Sequence, residues 1–149
     1  DPTRASPQGG NSGAAFVYSG QKLNQRKNLQ ESDAEFVYHS TNGSRISTAS
    51  PAGDVDGDGY ADFLIGDGLS DTPQSNAGSV HLFFGNTFNN LLGGDLTTRS
   101  NITWRGSAAN VGLGYNSLVG GIDLNKDGFP DLILVETGTS AKGNLYVVY

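Results

Sequence analysis

Asp54-Val-Asp56-Gly-Asp58-Gly-Tyr60-Ala-Asp62 returns 69 residues later as Asp123-Leu-Asn125-Lys-Asp127-Gly-Phe129-Pro-Asp131. Carboxylates or amides at positions 1, 3, 5 and 9 of such a stretch converge on one point when the chain turns tightly. The Gly at position 6 permits that turn because it tolerates a positive φ. Position 7, Tyr60 or Phe129, can add its backbone carbonyl. Hard oxygen donors in that number suit Ca²⁺, which takes about 6–8 of them. Two Ca²⁺ sites are therefore expected. One is made by Asp54, Asp56, Asp58, Tyr60 and Asp62, the other by Asp123, Asn125, Asp127, Phe129 and Asp131. Four carboxylates repel one another in the first loop against three in the second. The first is thus expected to hold its ion more tightly and to be the less ordered without it.

Similar openings introduce helical calcium loops, which need a bidentate carboxylate at position 12. Position 12 here is Ile65 or Leu134, and neither can bind a cation. The acid falls at position 9 instead, and an apolar run follows at once: Phe63-Leu-Ile65 and Leu132-Ile-Leu-Val135. Short branched runs of this kind read as buried β-strands. Each acidic loop is thus expected to join two strands of a hairpin.

A longer repeat surrounds the loops. Gly13-Ala-Ala-Phe-Val-Tyr-Ser-Gly20 aligns with Gly78-Ser-Val-His-Leu-Phe-Phe-Gly85 and with Gly143-Asn-Leu-Tyr-Val-Val-Tyr149, at a spacing of 65 residues. Glu35-Phe-Val-Tyr-His39 matches Asn101-Ile-Thr-Trp-Arg105 at an offset of 66. Self-similarity at this period with short strands indicates propeller blades. The order of Gly-rich strand, Asp-rich loop, buried strand and Gly-x-hydrophobic strand resembles the FG-GAP repeat of integrin α-subunit propellers and bacterial surface proteins. Gly112-Leu-Gly114 stands where that family has its Phe-Gly, and Ile65-Gly-Asp-Gly68 where it has Gly-Ala-Pro. Two departures are visible: no clear Phe-Gly precedes Ile46, and Val135-Glu-Thr-Gly138 replaces the second Gly-Ala-Pro. The resemblance implies an all-β chain of about two four-stranded antiparallel blades plus an extra strand, forming part of a larger propeller. It also implies calcium loops on one face and partners docking on the other.

The chain has 149 residues, of which 36% are hydrophobic and 22 are Gly, a mixture that fits short strands joined by tight turns. Its net charge is −6, and seven of its acids lie in the two loops. Two bound Ca²⁺ ions would bring the net charge to about −2. The acidity is therefore largely metal-site charge, and it argues against a nucleic-acid backbone as partner. There is no cysteine, so no disulfide braces the fold. Calcium loops of this kind favour an extracellular, secreted or cell-surface setting, where calcium is plentiful. No stretch approaches the length of a membrane span. No signal segment is visible, and the chain does not open on Met, as a trimmed chain would not.

Along the chain, residues 1–13, rich in Pro, Gly, Ser and Asn, read as a flexible arm. Residues 14–149 read as the propeller segment, with repeat 1 at about 14–85 and repeat 2 at about 86–149. Nine strands are expected, at 14–18, 35–39, 45–49, 62–66, 79–84, 101–105, 115–121, 131–135 and 144–149. Residues 21–33 read as an exposed loop. Blades must stack on neighbours to bury both faces, so other blades, from this chain or another, are expected partners.

No catalytic motif is present, and the chain is not expected to be an enzyme. His39 and His81 read as structural residues on strands, and Glu31, Asp33, Glu35, Asp95 and Glu136 as solvated acids. Trp104, Tyr38, Phe83, Phe84, Tyr146 and Tyr149 read as packing residues of strands. The function expected is adhesion or ligand binding, to a protein or a glycan, with loops 71–77 and 87–100 as candidate contacts. The alternatives are a lectin-like propeller and an accessory module of a secreted enzyme.

Overall fold

A computed structural model describes residues 13–25, 28–40, 44–86, 93–138 and 143–149. Of the expected N-terminal arm only Gly13 falls among them. The apolar runs form strands where the sequence puts them: β1 (Ala14–Val17), β2 (Phe36–His39), β3 (Ile46–Gly53), β4 (Asp62–Asp67) and β5 (Ser79–Phe83). After a two-residue strand β6 (Gly94–Asp95) come β7 (Ile102–Arg105), β8 (Leu113–Ile122), β9 (Asp131–Glu136) and β10 (Asn144–Val148).

They make three sheets, in the orders β1-β2-β6, β3-β4-β5-β7 and β10-β9-β8. The middle sheet is a complete four-stranded antiparallel blade. It runs from residue 46 to 105 and so straddles the boundary that self-similarity draws at 85–86. The first sheet holds two long strands and the third holds three, so the nine expected strands are shared as two, four and three. The fold is all-β and built of blade-like sheets, and the chain as described does not close a ring.

Alternation along the middle blade explains how the sheets stack. Phe63 and Ile65 on β4, with His81 and Phe83 on β5, point one way; Leu64, Val80 and Leu82 point the other, as the pleat requires. The first face packs with Tyr38 and Leu96, and with half-buried Ala15, Val17 and Phe36, against the first sheet. Phe63 and Phe83 stack with ring centroids 4.9 Å apart, and Tyr38 tilts against Phe83 at 4.6 Å. The second face packs Leu64, Val80 and Leu82 on Leu113, Leu118, Leu132 and Leu134 of the third sheet. Trp104 packs against this second core. A central sheet covered on both sides is why every residue of β5 and all but Phe63 of β4 are buried.

Two expectations are corrected. The segment after β1 is not all loop: it contains a short helix α1 (Gly20–Gln25) and a 3₁₀ turn (Glu31–Asp33). Gln, Lys and Leu favour helix, and Ser19 starts it, accepting from Leu23 N at its carbonyl and from Lys22 N at its hydroxyl. The helix buries no residue, so no apolar period announces it. Strand pairing is also not wholly antiparallel, since β6 joins β2 in parallel. The connection between β5 and β7 reaches back to the preceding sheet, and its helix α2 (Leu96–Arg99) inserts Leu96 into the core there.

Candidate metal centre

Each acidic stretch joins two antiparallel strands at the same end of the stack: 54–61 joins β3 to β4, and 123–130 joins β8 to β9. The two loops fold alike and share four side-chain to backbone bonds. In the first, Asp54 accepts from Gly59 N at 2.9 Å and Asp56 from Asp58 N at 3.3 Å. Asp58 accepts from Tyr60 N at 2.8 Å, and Asp62 from Val55 N at 2.8 Å. In the second, Asp123 accepts from Gly128 N at 3.0 Å and Asn125 from Asp127 N at 2.9 Å. Asp127 accepts from Phe129 N at 2.9 Å, and Asp131 from Leu124 N at 2.6 Å. Position 6 is left-handed in both, at φ +92° for Gly59 and +97° for Gly128. Position 4 is left-handed too, at +75° for Gly57 and +64° for Lys126. These side-chain to backbone bonds wrap the chain round its own carboxylates, so each loop's shape is written by its Asp spacing.

The first loop brings Asp54, Asp56 and Asp58 together, each offering a carboxylate oxygen within 4.8 Å of the others. Tyr60 keeps its side chain outside, 61% exposed, and Phe129, 49% exposed, lays one edge of its ring near Gly57 of the first loop. Asp62 and Asp131 lie beneath, each 2% exposed. Both oxygens of Asp62 are engaged, the second by Gly85 N at 2.8 Å. Oδ1 of Asp131 is buried and finds no partner among the described residues. In the first copy the matching oxygen, Asp62 Oδ1, is the one met by Gly85 N.

The charge balance differs between the loops. Asp56 is held above the usual carboxylate range by lost hydration and by the charges of Asp58, Asp62 and Asp54. Asp127 is held below it by the Phe129 N–H and the Asn125 amide, whose Nδ2 donates to Asp127 Oδ2 at 2.8 Å. The donor set is hard oxygen throughout and fits Ca²⁺.

Residues 47–83, the first hairpin and the strand after it, match the family model of the FG-GAP repeat. The repeat takes in most of β3, the first acidic loop, β4 and β5, three strands of the middle blade. No curated protein matches the chain.

Two acids that do other work were not foreseen. Asp67 and Glu136 end the strands that follow the FG-GAP loop and its second copy, and both are buried. Glu136 is not solvated as expected. It accepts from Ser107 N at 2.7 Å, Ser107 Oγ at 3.0 Å, Asn144 Nδ2 at 2.8 Å and Tyr146 OH at 3.0 Å. Burial alone would raise its pKa, but these donors outweigh it and the pKa is lowered. It therefore clamps the loop entering the third sheet to β9 and β10. Glu136→Gln keeps the volume but turns an NH₂ toward these donors, and should lower stability by about 2 kcal/mol. Urea unfolding at neutral pH checks it, and an unchanged midpoint would count against the clamp.

Asp67 accepts from Arg45 N at 2.7 Å, yet burial pushes its pKa up to about 6. A carboxyl raised in the folded state stabilises in its protonated form, and that contribution is lost as pH rises through about 6. Asp67→Asn should therefore raise stability at pH 7.5 by roughly 1–3 kcal/mol. The gain should vanish near pH 4, where both side chains are neutral. Paired urea melts at the two pH values read this out; an equal gain at both would refute it.

His81 is fully buried, as a structural strand histidine should be. Its Nε2 lies 2.9 Å from Ser79 Oγ, and its Nδ1 3.1 Å from Thr103 Oγ1 and 3.3 Å from Ser100 Oγ. Burial, with Arg105 adding to it, lowers its pKa to about 4. The ring is neutral and closed off from solvent.

Proposed function

We propose that this chain is a calcium-stabilised, non-enzymatic propeller segment of an extracellular protein, acting in adhesion or ligand binding. The observation that carries the reading is the pair of like-folded acidic loops at one end of the stacked sheets. Bound calcium would neutralise the converging carboxylates and make binding free energy into folding free energy. The loops at the other end are left to meet a partner. Asp71–Ala77, between β4 and β5, lies there. The second suggested contact region does not: the described part of 87–100 leaves from the calcium end and is built into the packing through Leu96. Further blades are supported as partners by the outer face of the third sheet. There Val119, Ile133 and Val147 stand in register across three strands, with Val119 and Val147 exposed. No helix among the described residues is long and apolar enough to cross a membrane.

Calcium equilibrium dialysis tests the reading directly. Two ions per chain are expected, and one after Asp56→Asn with Asp58→Asn. No uptake in millimolar calcium would end it.

A second reading, a glycan as the ligand, is favoured by one groove of about 260 Å³ at the end opposite the acidic loops. Leu69 and Tyr115 give it apolar surface, and Asn76, Asn110 and Thr137 give it neutral polar groups. Asn76 Nδ2 donates to Asn110 Oδ1 at 3.0 Å, and both residues are left-handed, so the rim is fixed. An aromatic ring beside amides suits a neutral sugar. Glycan-array binding that is lost in Tyr115→Ala would support it; binding that survives would not.

A further inference from the structure

The two acidic loops touch. A Cβ built on Gly57 of the first would lie 2.9 Å from Cε1 of Phe129 in the second. Beside this contact, a Cβ on Gly53 would lie 2.7 Å from Cγ of Pro130. Gly57 stands between Asp56 and Asp58, and its left-handed backbone sets the direction of both carboxylates. By contrast Gly59, the other left-handed glycine of the loop, meets nothing within 4 Å. The geometry points to Phe129 as a positioning residue for the neighbouring loop's calcium: its ring seats Gly57, while its own carbonyl serves the second loop.

This inference rests on the calcium reading above and adds a coupling to it. The first loop must hold mutually repelling carboxylates together before an ion arrives, and it is exposed to solvent on its other sides. A ring lying on Gly57 removes backbone arrangements in which Asp56 and Asp58 swing apart. Because the same residue belongs to the second loop, ordering is shared. An ion in either loop fixes one side of the Phe129–Gly57 contact and raises the affinity of the other loop, reciprocally.

The test begins with a chain whose second loop is disabled by Asp123→Asn and Asp127→Asn, so that calcium uptake reports the first loop alone. An asparagine at 127 still offers an oxygen to the Phe129 N–H. Phe129→Ala and Phe129→Leu are then added; both keep the backbone carbonyl. Calorimetric titration with Ca²⁺ should show the alanine weakening the first loop about fivefold or more, with leucine recovering most of the loss. Melting in chelator should be the same for all three, which separates ion positioning from general stability. First-loop affinities within twofold of one another would overturn the inference, as would a chelated melting temperature that falls along with affinity. In the reciprocal arm, Asp56→Asn and Asp58→Asn disable the first loop, and Gly57→Ala is added to push the ring away. Second-loop affinity should fall, and an unchanged value would also overturn the inference. If neither disabled chain takes up calcium, the calcium reading fails and takes this role of Phe129 with it. Uptake without coupling fails the role alone.

Discussion

In about 10 mM calcium the chain is expected to melt roughly 10–20 °C higher than in chelator. The size follows from linkage. A loop with a Kd of about 10⁻⁴ M, at the tight end of weak extracellular modules, is then at about 100 times its Kd and adds about 2.7 kcal/mol. Two loops add about 5 kcal/mol, and each kcal/mol moves the midpoint of a chain of this size by about 2–4 °C. Without an ion the carboxylates of Asp54, Asp56 and Asp58, which lie within 4.8 Å of one another, would repel. Nothing else braces these hairpins covalently, since the chain has no cysteine. Asp56→Asn with Asp58→Asn should remove about half of the calcium-dependent shift. Differential scanning calorimetry with and without chelator decides the matter. Melting temperatures within 2 °C would mean that the loops hold their shape by Asx-type hydrogen bonds alone, which the bonds from Gly59 N and Gly128 N show to be physically possible.

The parts of this fold that the sequence announces are those whose cause is local. Phe63-Leu-Ile65 and Leu132-Ile-Leu-Val135 are short, apolar and preceded by a tight turn; both are strands, the first buried between two sheets and the second with Leu132 and Leu134 in the core. The shape of the acidic loops is legible for the same reason, since each Asp binds a backbone N–H two to seven residues away. What escaped depends on distant partners. Helix α1 buries nothing, so its sequence carries no apolar period. The segment at β6 and α2 is defined by contacts with β2 and with the core around Tyr38, more than fifty residues earlier. Glu136 looks like one more acid in an acidic chain until Ser107 and Asn144 close over it. A signal for it did exist. Asp67 and Glu136 each stand five residues beyond the ninth-position acid of their loop, at the end of a buried strand. A carboxylate repeated at that place has no business with solvent. The hydroxyl shell of His81 gave no such sign, because Ser100 and Thr103 arrive from another strand and its entry loop.

Replacing Gly66 with valine should cost 3 kcal/mol or more, although propensity argues the other way. Gly66 is in the interior of β4, where a β-branched residue is ordinarily favoured by up to about 1 kcal/mol. The opposing term is steric. A Cβ at Gly66 would lie 2.3 Å from the carbonyl oxygen of Gly114 and 2.5 Å from Thr48 Cγ2. The first of these is backbone and cannot rotate away. Gly66 thus marks where the middle blade and the third sheet approach backbone to backbone, and relief requires the two to separate. Overpacking of well-packed sites costs about 1–3 kcal/mol when side chains can shift, so a clash with main chain belongs at or above the top of that range. Separation also opens the core shared by Leu64, Val80, Leu118 and Leu134, so the damage should not stay local. For a chain of this length the midpoint should fall by about 6–12 °C or more. Gly20→Ala is the matched control, because nothing lies within 4 Å of its Cβ. It sits at the start of α1, where alanine should be neutral or mildly stabilising, by up to about 1 kcal/mol. In thermal and urea unfolding the Gly66→Val midpoint should therefore fall while that of Gly20→Ala stays or rises slightly. A Gly66→Val protein that unfolds like the wild type would show that β4 and β8 do not meet at Gly66 and Gly114, and the stacking of the second and third sheets would have to be redrawn.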